Sequence, residues 1–169
     1  GFVVVVGAGG GCGVLGVVLG VALGHGARVV ARALFKTGIR TFAVACLEEG
    51  IALRRAGIRG CILILGWTSP EQAPLLARWR LTQAVADTAH GAALSRTGYN
   101  VHVHLAVDTG MHRLGIACED VEALAALYRL PGIQVDGIFS HLCVSDSLAG
   151  RDVSYTDRQV SAFRTVVER

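Results

Sequence analysis

Three histidines and one aspartate have the types and spacing that a metal-dependent hydrolase would use. His102 and His104 are two residues apart in the alternating segment 101–107, so both lie on one face of a predicted strand. His141 ends the next predicted strand, and Asp108 is the nearest carboxylate. Imidazole and carboxylate groups are common ligands of zinc. One hypothesis is therefore a metal-dependent barrel hydrolase that uses His102, His104 and His141.

A second set of polar residues lies in the loop that follows the same strand. Residues 107–115 read Val-Asp-Thr-Gly-Met-His-Arg-Leu-Gly, and Arg113 is the fixed cation of this loop. A planar guanidinium binds carboxylates and phosphates in a defined geometry. We expect Asp108 and Thr109 to hold the loop through local hydrogen bonds rather than to do chemistry. The chain contains one lysine, Lys36, at the end of a predicted helix.

An alternation of strands and helices must position these side chains. Each β-α unit takes about 28 residues, and six consecutive units follow one another, which is typical of a parallel sheet with helices outside. The rhythm fits a doubly wound sheet or a (β/α)8 barrel, and eight such units would need roughly 225 residues. Predicted strands cover 41–45, 61–65, 82–86, 101–107 and 135–140, and predicted helices cover 27–37, 47–56, 71–78, 88–96 and 121–129.

A last helix is predicted to run to the chain end from a capping box at Ser154 and Asp157. The fold class predicted from this order is α/β. Within that class, we expect a (β/α)8 TIM-type barrel that is incomplete, with about six units present.

The composition excludes several classes of protein. Hydrophobic residues make up 52% of the 169 residues, which is ample for a packed core and excludes disorder. The net charge of +3 is spread along the chain without a basic block, so we expect no nucleic-acid partner. Five widely spaced cysteines, with no CxxC pair, disfavour structural zinc and a disulfide framework. They indicate a reducing compartment, and we expect a cytoplasmic protein.

The first 27 residues differ from the rest, because they contain no charged side chain and ten of the 22 glycines. One interpretation is a transmembrane segment, although many glycines and no flanking cation argue against it. Another is a dinucleotide-binding loop, since 2–6 looks like a strand and 11–16 matches G-x-G-x-x-G. The first acidic residue after that motif is Glu48, too late to hold a ribose. The third is an altered first barrel strand.

Several motifs in order and spacing resemble the amino-terminal barrel of the alanine racemase family. They are Gly24-His25-Gly26-Ala27, Phe42-Ala43-Val44-Ala45, Ile62-Leu63-Ile64-Leu65-Gly66, the run at 107–115, and Gly137-Ile138-Phe139-Ser140-His141. The similarity is greatest to the serine/alanine racemase branch associated with vancomycin resistance. On this basis 1–169 is one partial barrel domain, in which 1–23 is an atypical Gly- and Val-rich segment.

The resemblance implies a pyridoxal-phosphate enzyme that interconverts the L and D forms of alanine or serine. The cofactor would act as an electron sink for the carbanion at the α-carbon. Arg113 would contact the cofactor's phenolic oxygen and the substrate carboxylate, and His141 would line the cofactor pocket. His25 would lie near the cofactor phosphate, and Leu23 takes the place of a phosphate-contacting tyrosine. The resemblance further implies a homodimer, and its branch includes cytoplasmic domains of membrane-tethered proteins.

The chain departs from the family where covalent chemistry is expected. In register, Leu19 stands at the position of the Schiff-base lysine, and leucine cannot form that bond. Ala106 stands at the position of a second family lysine, on the fifth strand. Lys36 is expected at the opposite face of the barrel. We therefore expect no racemisation by this chain alone, with a non-catalytic barrel that packs or binds as the alternative.

Overall fold

The fold is described from a computed structural model that covers residues 3–7, 15–17, 26–144 and 147–168. Strands and helices alternate along most of it. The strands are β1 (Val3–Gly7), β2 (Leu15–Val17), β3 (Thr41–Val44), β4 (Cys61–Ile64), β5 (Thr82–Val85), β6 (Val101–Asp108), β7 (Ile116–Ala117) and β8 (Ile133–His141). The helices are α1 (Gly26–Lys36), α2 (Leu47–Arg55), α3 (Ala73–Trp79), α4 (Thr88–Ser95), α5 (Val121–Tyr128) and α6 (Gly150–Val167), and a 3₁₀ turn at Pro70–Gln72 precedes α3.

One curved sheet runs in the order β1-β8-β6-β5-β4-β3-β2, with the short β7 beside the end of β6. The six strands from β2 to β8 on this path are parallel to their neighbours, as the strand–helix alternation predicted. The predicted α/β fold, a TIM-type barrel that is incomplete and not closed, is confirmed.

The start of the chain contributes two strands with different roles. β2 pairs in parallel with β3, so Leu15 to Val17 lie where the first barrel strand belongs. This placement supports the interpretation as an altered family strand. β1 instead pairs antiparallel with β8, from Val3 opposite His141 to Gly7 opposite Gly137. A dinucleotide fold requires its first strand to be parallel, so that interpretation is wrong. Residues 11–14 of the glycine motif lie outside the described ranges.

The strand residues divide between two faces because successive side chains point in opposite directions. Side chains such as Phe42, Ile62 and Leu105 pack outward against the helices in the main apolar core. A smaller apolar layer fills the concave side of the sheet. Its members are Leu63, Ala84, Ala106 and Phe139, with Leu65 and Ala86 packed against them. His102 and His104 have the same strand parity as Ala106, so the concave side also receives both imidazoles.

The last helix begins earlier than its sequence signal. α6 starts at Gly150 after Ala149, and the Ser154 hydroxyl donates back to the Gly150 carbonyl at 2.9 Å. The prediction of a capping box at Ser154 is therefore wrong, because this serine lies one turn inside the helix. Caps do occur at two other helices, where Asp87 and Asp120 accept bonds from the backbone N–H groups of His90 and Ala123. None of the helices in the described ranges combines the length and the apolar character needed to cross a bilayer.

The turn before β4 depends on the absence of a side chain at Gly60. A Cβ atom at this position would lie 1.9 Å from the backbone oxygen of Arg40, and backbone cannot move aside as a side-chain tip can. We expect Gly60→Ala to lower the free energy of unfolding by about 1–3 kcal/mol, the usual cost of overpacking. Urea unfolding followed by circular dichroism measures this change.

Gly150→Ala is the matched control, because nothing lies within 4 Å of a Cβ atom there. We expect this variant to be as stable as the parent, or more stable by up to about 1 kcal/mol, since alanine favours the helix. Equal stabilities of the two variants would contradict the close contact at Gly60.

Candidate cofactor site

A cavity of about 290 Å³ opens at the carboxyl-terminal edge of the sheet. Barrel enzymes build their sites at this edge, where the loops after the strands converge. Its volume is close to the lower limit of small-molecule sites, which is roughly 300 Å³. The lining is mostly apolar, with one cation and one imidazole at the rim. The lining residues are Ala45, Leu65, Gly66, Ala106, Val107, Arg113, Leu114, Phe139, Ser140 and His141.

The loop that carries Arg113 is folded around the Asp108 carboxylate. Its Oδ1 accepts hydrogen bonds from the backbone N–H groups of Gly110, at 2.9 Å, and His112, at 3.1 Å. Burial raises the pKa of this carboxyl, but these N–H donors and the nearby His112 outweigh burial and hold the pKa below its usual value. Asp108 therefore stays ionised and holds the loop, as expected from the sequence.

Two glycines of this loop are required by its backbone. Gly110 and Gly115 have φ angles of +129° and +118°, a region that other residues rarely adopt. A Cβ atom on Gly115 would also lie 2.8 Å from the backbone nitrogen of Asp108. The Asp-Thr-Gly and Arg-Leu-Gly parts of the motif therefore specify the path of the chain that leads to and from Arg113.

Helix α6 fixes the same loop from the outside. Gln159 is 1% exposed; its Nε2 donates to the Thr109 hydroxyl at 3.4 Å and to the His141 carbonyl at 3.3 Å. The Tyr155 hydroxyl donates to the Gly110 carbonyl at 2.6 Å. Thr109 also bonds Ser140 on β8, with 2.7 Å between the two hydroxyl oxygens. These contacts join the Arg113 loop to the strand end that carries His141.

The structure brings Arg113 and His141 together at one cavity. Arg113 lies in an exposed position at the rim, and His141 is partly buried at the end of β8. Burial, followed by the charge of Arg113, lowers the pKa of His141, so its imidazole is neutral near pH 7. A fixed cation beside a neutral imidazole suits an anionic, flat ligand. That the two residues bind a cofactor stays a prediction, and His25, Leu23 and Leu19 lie outside the described residues.

The three histidines of the metal hypothesis do not converge. His102 Nδ1 lies 2.6 Å from Asp136 Oδ2, near the amino-terminal edge of the sheet. His104 is opposite Gly137 in the β6–β8 pairing, and His141 is four residues further on, about 13 Å along the strand. Within the described ranges, no three His, Cys, Asp or Glu side chains are grouped to hold a metal. The hydrolase hypothesis built on these histidines is wrong.

The described part of the cavity contains no amine. Ala106 contributes a methyl group to the lining of the cavity. Lys36, the one lysine of the sequence, is exposed in the last turn of α1. Because α1 leads into β3, that turn lies at the amino-terminal edge of the sheet, opposite the cavity. Lys36 is therefore too remote to reach a ligand bound there.

Comparison with known proteins matches residues 6–169 to the alanine racemase N-terminal domain. The chain belongs to the alanine racemase family. It is 41% identical over 157 residues to an amino-acid racemase of Enterococcus faecalis, and 38% identical over 154 residues to the serine/alanine racemase of Enterococcus gallinarum. These matches cover 93% and 91% of this chain but 22% of each relative.

Solved structures of the alanine racemase family agree with this assignment. The alanine racemase of Clostridium difficile 630 superposes with a TM-score of 0.82 at 30% identity, over 92% of this chain and 42% of that enzyme. The alanine racemase of E. faecalis superposes with a TM-score of 0.80 at 35% identity. The chain thus spans less than half of these racemases.

Pyridoxal phosphate, the cofactor of alanine racemases, can be compared with this cavity. The apolar floor suits an aromatic ring, the neutral His141 can contact it, and the Arg113 guanidinium can donate to an oxygen anion. These residues fit the cofactor as a noncovalent ligand. Covalent attachment through a lysine does not fit the described lining, because the lining includes no lysine and Lys36 lies at the far edge.

The second imidazole on the concave side gives a prediction for pH dependence. His104 is 4% exposed, its Nδ1 has no hydrogen-bond partner in the described structure, and burial lowers its pKa. In the unfolded chain His104 takes up a proton near pH 6.5, whereas in the folded chain it stays neutral to a lower pH. The free energy of unfolding is therefore greatest above pH 6.5 and decreases as the pH falls.

We expect His104→Leu to flatten this decline by up to about 1.4 kcal/mol per pH unit, the limit for one proton. Urea unfolding at several pH values between 7.5 and 5 measures the slope. His141 has a pKa lowered in the same direction, so part of the slope should persist in the variant. The same slope in both proteins would show that His104 does not contribute.

Proposed function

We propose that this chain is a pyridoxal-phosphate-binding barrel domain of an alanine or serine racemase lineage, and that the chain as it stands does not racemise by itself. The observation that carries this proposal is the cavity with Arg113 and His141 at its rim and no lysine among its described lining residues. The fold and family support a small amino acid as the substrate of the parent enzyme. Arg113 is the group suited to its carboxylate.

The bound cofactor would supply an electron sink for the charge that develops at the substrate α-carbon. Arg113 would hold the cofactor by donating to an oxygen anion, and the neutral His141 would line its ring without adding a second positive charge. Asp108, Thr109 and Gln159 position Arg113 by fixing its loop. Phe139 and Ala106 exclude water from the floor of the cavity.

The proposed lack of racemisation has two causes: the leucine at position 19, and the parts of the site that we propose lie beyond this match in the longer relatives. Leucine at position 19 has no nucleophilic nitrogen, so this residue can neither hold the cofactor covalently nor act as a base. The relatives are more than twice as long, and we propose that the rest of the site comes from the regions they hold beyond this match. The family assignment also supports pairing of two copies and a cytoplasmic location for the parent protein.

Equilibrium dialysis with pyridoxal phosphate tests the binding step. We expect reversible binding, and we expect Arg113→Gln to weaken it about tenfold or more, the cost of losing a charge-assisted hydrogen bond. Arg151→Gln is the matched control, because Arg151 is an exposed arginine in the first turn of α6 and outside the cavity. Equal affinity of all three proteins, or no binding by the parent, would exclude the proposed site and favour a barrel that only packs.

A gain-of-function variant tests the role of position 19. We expect Leu19→Lys to form a cofactor adduct that borohydride fixes and that mass spectrometry locates at residue 19. The parent chain should yield no adduct at that residue and no exchange of the alanine α-hydrogen with deuterium. Exchange catalysed by the parent would overturn the proposal of an inactive chain, whatever its affinity for the cofactor.

A further inference from the structure

Basic side chains that are scattered in the sequence lie together at one edge of the sheet. We name the exposed members the basic face. They lie in the last turns of helices or in the turns between a helix and the next strand, and they are Lys36, Arg40, Arg55, Arg59, Arg78, Arg80, Arg96, Arg129 and Arg164. The sequence contains no basic block because these residues are separated along 129 positions; in space they share the amino-terminal edge.

Topology explains this separation of charge. Each helix runs antiparallel to the strand before it, so helix ends and strand starts meet at the same edge. Acidic residues gather at the opposite edge, in first helical turns and after strands. They include Glu48, Glu49, Glu71, Asp87, Asp108, Glu119, Asp120, Glu122 and Asp152. Among the described residues, the carboxylates at the basic edge are Asp136, which is paired with His102, and Glu168 at the end of α6.

A half-buried arginine joins the neighbouring turns of the basic face. Arg54 donates to the carbonyl oxygens of Trp79 and Ile58, each at 2.9 Å, and of Gly60 at 2.6 Å. Burial, with the nearby charge of Arg80, lowers the pKa of Arg54. The turns after α2 and α3 are therefore fixed next to each other, and their exposed cations lie close together.

The basic face contains more cations than are needed to complement the helix dipoles. One cation in a last turn complements a helix dipole, as Lys36 does in α1. Arg59 and Arg80 lie beyond the helices, in turns, and both are exposed. The ion pairs found between described residues involve none of the side chains of the basic face. These cations are therefore available to a partner with negative charge.

Aromatic residues on the same edge indicate the kind of partner. The guanidinium carbons of Arg55 and Arg78 lie 5.5 and 5.9 Å from the centre of the Trp79 ring, which is thus covered by cations. Tyr99, before β6, and Tyr128, at the end of α5, lie on the same edge and are 46% and 56% exposed. A nucleic acid is bound by a groove with open aromatic faces for its bases. A rim of arginines with tyrosines among them is suited to the headgroup region of a membrane.

We propose that the basic face docks on a membrane surface of anionic phospholipids. Clusters of four to eight basic residues provide this kind of attraction, which falls off within a Debye length. Docking would leave the cavity open to water, because it lies at the opposite edge of the sheet. The proposal does not depend on cofactor binding, and the acidic edge would be held away from the negative lipid surface.

Vesicle sedimentation tests this surface. The 169-residue chain is mixed with vesicles of phosphatidylcholine alone, or with about 30% phosphatidylglycerol, at about 0.05 M and about 0.5 M salt. We expect binding to the anionic vesicles at low salt only. The double variant Arg55→Gln/Arg78→Gln should lower the partition coefficient about tenfold, and Arg151→Gln/Arg158→Gln, with the same net charge, should change it less than about twofold.

Several results would overturn the proposal. Equal losses in the two double variants would show attraction by net charge without a defined face. Binding to neutral vesicles, or binding that survives high salt, would show apolar adsorption. Tighter binding to a double-stranded oligonucleotide than to anionic vesicles at the same salt would make the face a nucleic-acid surface. Circular dichroism of every variant confirms that lost binding is not lost folding.

Discussion

The parallel alignment of the strands is the constraint on which the rest of the molecule depends. Because β3, β4, β5, β6 and β8 all run in one direction, their carboxyl ends meet at one edge and their amino ends at the other. The first edge receives the loops, the first helical turns and the cavity. The second receives the last helical turns with their arginines. Backbone hydrogen bonding therefore decides which polar side chains can act together.

Within that frame, one buried network sets the geometry of the cavity. The Asp108 carboxylate folds the loop, and Gln159 ties both this loop and the β8 end to α6. A buried amide must use its hydrogen-bonding groups, so Gln159 restrains its partners rather than merely contacting them. Arg113 is exposed and long, yet the base of its loop is fixed from two sides. Such support allows a flexible side chain to take part in a defined site.

Most of the fold could be predicted from the sequence, because strand and helix periodicity carries local information. The strands at 61–65 and 82–86 and the helices at 47–56 and 88–96 match the structure to within about a residue. The role of Gln159 and Tyr155 could not be predicted, since a polar residue in an amphipathic helix looks the same whether it faces water or a loop. The prediction of a helix start at Ser154 was wrong for a related reason, because a short motif does not show whether another helical turn precedes it.

The metal hypothesis was wrong, and the basic face could not be predicted, for one shared physical reason. Linear spacing places His102 and His104 on one face but does not reveal that His141 lies at the other end of the neighbouring strand. It also separates Arg55 from Arg78, which lie over the same tryptophan. In this fold, side chains from different β-α units form the functional clusters. The pairing of the strands in the sheet sets the distances between these side chains. The family resemblance assigned Arg113 and His141 to one site, and both line one cavity, because a resemblance carries that spatial relation with it, whereas residue types alone do not. Their binding of a cofactor stays a prediction.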